Sequence, residues 1–200
     1  MNSPLKIRIG FGLGTRSEVR NPSDLGELAE SLERLNFDSL WFSERVAGSC
    51  LDPLVLMSWI AGRTQKLKFG PSIMVLPGRN PVILAKSLAS LDVISNGRLL
   101  PAFGLGAADT AEHQAFGLER KDRAPWFNEA LPLIRRLWGE DRVSHAGERF
   151  SLEGVRVLPK PIQNPLEIWL GGLAPSELRR VGRLGDGWLP SFCTPEDVAE

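Results

Sequence analysis

Four places in this 200-residue chain set reactive or backbone-exposing residues directly after an apolar run. The run ending Trp41-Phe42 leads into Ser43-Glu44-Arg45. A carboxylate beside a guanidinium is as much the signature of a structural ion pair as of a proton shuttle. Arg45 keeps its charge near neutral pH, so a proton would move through Glu44, and Arg45 would orient an anion or a ring carbonyl. Gly104-Leu105-Gly106 continues through Ala107 and Ala108 to Asp109, and such small residues let backbone N–H groups approach a ligand closely. Gly171-Gly172-Leu173-Ala174 is a second small-residue turn, and Pro175 after it opens a helix, the arrangement of an anion cradle. Pro71 and Pro77 bracket Ser72-Ile73-Met74-Val75-Leu76, which implies a distorted strand of the kind that often marks a site.

Other chemistries find less support. Gly10-Phe11-Gly12-Leu13-Gly14 has the spacing GxGxG and no helix directly after it, so it reads as close strand packing and not as a dinucleotide loop. His113 and His145 stand in no metal-ligand spacing, and no metal is expected. No Gly-x-Ser-x-Gly elbow supports a serine hydrolase. Cys50 and Cys193 both follow strand ends and could approach each other on the rim, but neither has a polarising partner, and two cysteines make no disulfide scaffold. Trp41, Trp59, Trp169 and Trp188 offer flat surfaces to an aromatic ring, although core packing is the commoner use of such residues.

The elements that would position these residues follow from apolar runs. Strands are expected over Ile7–Leu13, Asp38–Phe42, Leu67–Leu76, Leu99–Leu105, Glu167–Leu170 and Gly187–Phe192. Most lack alternation, as strands covered on both faces do. Helices are expected after Asn21-Pro22 with Ser23 as cap, after Asp52-Pro53, after Asn80-Pro81 with a stop at Asn96-Gly97, from Pro125, from Pro175 and from Thr194-Pro195. The first four strands recur every 28 to 32 residues, the length of a βα unit with a right-handed crossover. The next interval is 69 residues, so residues 143–164 are expected to be an insertion carrying a short hairpin within a single domain spanning 1–200. Repeated βα units give either an open doubly wound sheet or a (β/α)8 barrel. In both, ligands sit at the C-terminal ends of the strands, where the residues above fall.

Composition narrows the class. Lys+Arg and Asp+Glu are 24 each, so there is no cationic surface for nucleic acid. Hydrophobic residues are 42%, enough for a buried core, while no apolar stretch reaches a membrane span and the N-terminus has no signal-peptide pattern. A cytoplasmic protein with a small-molecule substrate, no nucleic acid and no membrane is the expectation.

Beyond these readings, the chain resembles the luciferase-like monooxygenase family, the bacterial-luciferase-like group of flavin- or deazaflavin-dependent oxidoreductases. The match runs through Pro81, Ala85-Lys86, Ser90-Leu91-Asp92-Val93-Ile94-Ser95-Asn96-Gly97-Arg98-Leu99 and Gly104-Leu105-Gly106. It continues in Phe116-Gly117, Arg123, Glu129-Ala130-Leu131, Leu137-Trp138, Gly147, Pro159-Lys160-Pro161-Ile162-Gln163, Gly171-Gly172 and Gly185-Asp186-Gly187-Trp188. The resemblance implies an incomplete (β/α)8 TIM barrel of about six units, C-terminally truncated, with an insertion after the fourth unit. It implies a non-proline cis peptide at Ser72-Ile73 against one face of a tricyclic ring. Glu44 stands where such proteins place an acid contacting the deazaflavin, and Arg45 where some carry a catalytic histidine. Asp109 lies near an acidic catalytic position, Gly106, Ala107 and Ala108 beside the cofactor, and Gly171, Gly172, Ala174 and Pro175 on the side of the ribityl chain and phosphate. Asp109 or Glu44 is the acid or base, provided burial raises its pKa.

The resemblance favours hydride transfer between coenzyme F420 and a small organic substrate. The alternatives are an FMN-dependent monooxygenase using oxygen and a truncated barrel that binds a flavin without turnover. A homodimer is a family expectation.

Overall fold

The computed structural model describes residues 7–15, 21–191 and 193–199. Its core is a row of parallel strands in chain order. β1 (Gly10–Leu13), β2 (Ser39–Phe42) and β3 (Lys68–Pro71) form one ladder. β4 (Met74–Val75), β5 (Ala102–Gly104), β8 (Trp169–Leu170) and β9 (Gly187–Trp188) form the next. β3 and β4 are two halves of the expected third strand, and the peptide bond between them, Ser72-Ile73, is cis. The ladders join where Phe69 N–H donates to Arg98 O and Leu100 N–H to Phe69 O, at 3.0 and 2.8 Å. All six expected strands are therefore present in barrel order, each shorter than its apolar run; Phe192 lies outside the described residues.

Helices pack on the outer face because their apolar stripes have nowhere else to go. α1 (Pro22–Arg34), α2 (Pro53–Arg63), α3 (Pro81–Ile94) and α6 (Pro175–Leu184) each carry proline in the first turn. Asp52 caps α2 by accepting Val55 N–H, and Asn80 caps α3 by accepting Val82 and Ile83 N–H. The cap of α1 is Asn21, which accepts Ser23 N–H; Ser23, expected in that role, lies inside the helix because proline takes the first position. α3 stops where Asn96 and Gly97 take φ of 55° and 74°.

Two helices differ from expectation. α4 (Thr110–Phe116) was not read from the sequence, because it buries only Glu112 and so shows no apolar stripe. α5 (Arg120–Gly139) begins five residues before Pro125, which sits inside it with Pro132. The long apolar face from Phe127 to Trp138 holds the helix despite the two missing N–H donors. α7 (Pro195–Ala199) starts where expected. In the insertion, β6 (Val143–Ala146) and β7 (Ser151–Val155) form an antiparallel hairpin.

Buried polar groups tie the outer shell together. Asp92 on α3, fully buried, accepts N–H from Ile162 and Gln163 and the Gln163 amide at 2.7–3.0 Å, so it anchors the end of the insertion. Arg98 donates to the carbonyls of Ser95, Leu67 and Ala61 and to the Thr64 hydroxyl, and burial lowers its pKa. Glu129 on α5 accepts N–H from Arg149 and Phe150 and bonds His145 at 3.0 Å. Among the described residues no helix is long and apolar enough to cross a membrane, and no group of His, Cys, Asp and Glu could hold a metal ion.

Candidate functional site

The expected site residues fall at the C-terminal tips of β2, β3, β5 and β8. At the centre is half-buried Ile73. A Cβ on Gly104 would lie 1.8 Å from Ile73 Cδ1, and one on Gly171 would lie 2.7 Å from it. A side chain at either glycine would therefore force Ile73, which lies across the tips of two neighbouring strands, to shift. Ser72 N–H donates to Phe42 O at 2.6 Å and holds this segment to β2.

Glu44 and Arg45 do not pair with each other. They lie two and three residues past the end of β2 and meet different neighbours. Glu44 is 7% exposed; its carboxylate accepts Val75 N–H at 2.6 Å and pairs with Arg79. Arg79 in turn donates to Val75 O and stacks over the Phe116 ring. Burial raises the Glu44 pKa above its ordinary value, outweighing the opposing pull of Arg79.

Arg45 reaches across to α4. Its Nη2 lies 3.0 Å from Asp109 and its Nε 3.2 Å from Glu112. Asp109 also caps α4 by accepting Ala111 N–H at 2.8 Å. That bond, chiefly, holds the Asp109 carboxyl below its usual range, and Arg45 adds to it. The condition set for an acid–base role, a pKa raised by burial, is met by Glu44 and not by Asp109.

The Leu105–Ala107 turn is held from behind. Arg123 Nη1 donates to the carbonyls of Leu105, Gly106 and Ala107 at 3.1, 3.0 and 2.7 Å. Gly106 takes φ of 82°, which lets the chain turn there. The Gly171–Ala174 turn corrects the expectation of an open anion cradle. Leu173 and Ala174 N–H both donate to the Glu177 carboxylate at 3.1 Å, so the chain's own anion occupies those donors.

Arg79, Glu112, Arg123 and Glu177 thus hold the site, and sequence reasoning assigned none of them a role. Arg123 stood among the family matches. Glu177 three residues after Ala174, and Glu112 three after Asp109, carry the acidic half of a capping box. Arg79 gave no signal. Trp41 and Trp169 face each other, centroids 6.2 Å apart, beside a cavity of about 250 Å³ lined also by the strand-start residues Ser39, Lys68 and Leu99. They pack in the strand layer and not at the tips. Cys50 and Cys193 are both unpaired thiols.

Comparison with known proteins agrees with this layout. The luciferase-like monooxygenase pattern matches residues 4–200. An F420-dependent glucose-6-phosphate dehydrogenase of Kineococcus radiotolerans is 30% identical over 196 residues, covering 93% of this chain and 56% of that protein. Its counterpart from Segniliparus rotundus is 29% identical, with 100% and 60% covered. The chain spans little more than half the length of these curated relatives. The crystal structure of monooxygenase RslO1 from Streptomyces bottropensis superposes with a TM-score of 0.83 at 26% identity, covering 96% of this chain and 62% of that one. An F420-dependent secondary alcohol dehydrogenase, solved with an F420-acetone adduct, gives 0.83 at 25%, covering 96% and 60%. With its incomplete parallel barrel and strand-tip cluster, the chain belongs to the luciferase-like monooxygenase family.

Proposed function

We propose that the protein is an oxidoreductase passing hydride between coenzyme F420 and a small organic substrate. The observation that carries the reading is Ile73 laid across the bare backbone of Gly104 and Gly171, beside the Gly106–Ala107–Ala108 turn. This leaves a surface of small residues at the strand tips, which a flat ring can approach. The names of the curated relatives and of the alcohol dehydrogenase favour a deazaflavin as that ring.

The residues fit the ring end of the cofactor. Ser72, Ile73, Gly106, Ala107 and Ala108 would flank it, with Arg45 at its edge. When bound, the deazaflavin accepts or donates the hydride. Glu44, its pKa raised by burial, is the acid–base group, while Asp109 acts as a fixed anion that orients Arg45. Gly171, Gly172, Ala174 and Pro175 would face the phosphate tail once Glu177 turns away from the Leu173 and Ala174 N–H groups.

The test is titration of the full-length protein with F420 and with FMN, followed by tryptophan fluorescence. Saturable F420 binding is the expected result. Saturation by FMN alone, with oxygen uptake, moves the protein to the monooxygenases, and saturation by neither overturns the reading.

A further inference from the structure

We infer that Glu112 is a positioning residue for the cofactor edge, acting through Arg45; this rests on the F420 reading above. Glu112 is 2% exposed, and its Oε1 accepts both Arg45 Nε at 3.2 Å and Ala47 N–H at 3.0 Å. Asp109, three residues earlier on the same face of α4, takes Nη2 of the same guanidinium at 3.0 Å. The two carboxylates therefore grip one edge of a planar group at two points, which fixes its plane as well as its position. Among the described residues Nη1 has no hydrogen-bond or ion-pair partner, and it is the nitrogen left for a ligand.

The two grips are unequal. The Asp109 side chain is 42% exposed, so water screens its pair with Arg45, whereas the Glu112 side chain is 3% exposed. Glu112 Oε2 is buried without a hydrogen-bond partner, beside a small cavity lined by Val75, Gly106, Ala107 and His113. Arg45 is thus the cation facing this buried carboxylate. Because Glu112 also holds Ala47, it binds the β2 tip to the β5 tip, the two sides between which the ring would enter. Burial keeps Glu112 off the ring itself.

Two measurements on the full-length protein separate this role from simple structural support. In the cofactor-free state, phenylglyoxal labelling at Arg45, followed by peptide mass spectrometry, is expected to accelerate about fivefold in Glu112→Gln, while labelling of exposed Arg34 stays constant. The F420 dissociation constant is expected to rise about fivefold in Glu112→Gln, but by less than about twofold when the same change is made in an Arg45→Met background. Unchanged labelling, or an equal penalty in both backgrounds, overturns the inference. Should Glu112→Gln not fold, Arg45→Lys carries the test, because an ammonium cannot bridge both carboxylates in one plane; an F420 affinity equal to wild type then overturns it. If the wild type binds no F420, the functional reading fails and the labelling result alone decides the role of Glu112.

Discussion

The base of the barrel and its rim both bury charge, but they satisfy it differently. At the base, Asp92 is held by two backbone N–H groups and one amide, and Arg98 by three carbonyls and a hydroxyl. Every partner is neutral and belongs to the chain's path. At the rim, Glu44 meets Arg79, and Arg45 meets Asp109 and Glu112. Charge answers charge there. Neutral partners pin a backbone course, because moving any one strands a buried charge. Opposed charges can be re-partnered by an arriving ligand at smaller cost.

The sharpest way to break that contrast is at the base. Asp92→Ala leaves the N–H groups of Ile162 and Gln163 unpaired, and chemical denaturation is expected to show a loss of about 3 kcal/mol. The folded remainder should bind F420 with wild-type affinity; a parallel loss of affinity would mean the two regions are not separable.

Gly104→Ala tests the rim. The added methyl lies 1.8 Å from Ile73 Cδ1, so stability should fall by about 1–3 kcal/mol, and F420 affinity should fall with it. Ile73→Ala in the same chain is expected to recover part of the stability and none of the affinity. Recovery of both would show that Ile73 serves packing alone.

Glu177→Ala has a smaller effect, in the opposite direction. It releases the Leu173 and Ala174 N–H groups at a cost of about 1 kcal/mol for the lost cap, and isothermal titration should show F420 binding tightened about twofold. Unaltered affinity would remove Gly171–Pro175 from the tail site.

The smallest effect is a slope. The folded pKa of Glu44 lies above its ordinary 4.5, so the folded state binds its proton more tightly than the unfolded chain does. Stability contributed by this group is full below 4.5 and declines as pH rises through the folded value. Denaturant midpoints of Glu44→Gln, measured against pH from 4 upward, should lack that decline. An identical slope in variant and wild type would remove Glu44 as the acid–base group.

Several of the residues that carried the family resemblance turn out to be scaffold, although Gly104, Gly106, Arg123, Gly171 and Gly172 belong to the rim. Asp92, Arg98, Glu129, Gly147 and Gln163 are scaffold, and a Cβ on Gly147 would lie 1.9 Å from Glu129 Oε1. Such residues were legible because each pins a backbone course. The charged groups of the rim were legible only as positions: Glu44, Arg45 and Asp109 were found because they follow strands.

The places of the strands along the chain, the caps at Asp52 and Asn80, the stop at Asn96-Gly97 and the hairpin in residues 143–164 were all set by local rules, whereas the order of the strands in the sheet was not. Apolar runs, prolines and glycines act on their own neighbours, so one chain read in order suffices. Partnerships across 31 to 67 residues were decided by the tertiary structure: Glu44 with Val75 and Arg79, and Arg45 with Asp109 and Glu112. Glu44 and Arg45 are neighbours in the chain just past the end of β2, yet they serve different elements, because the groups that meet them, on β4 and the following loop for one and on α4 for the other, are brought to the β2 tip by different crossovers.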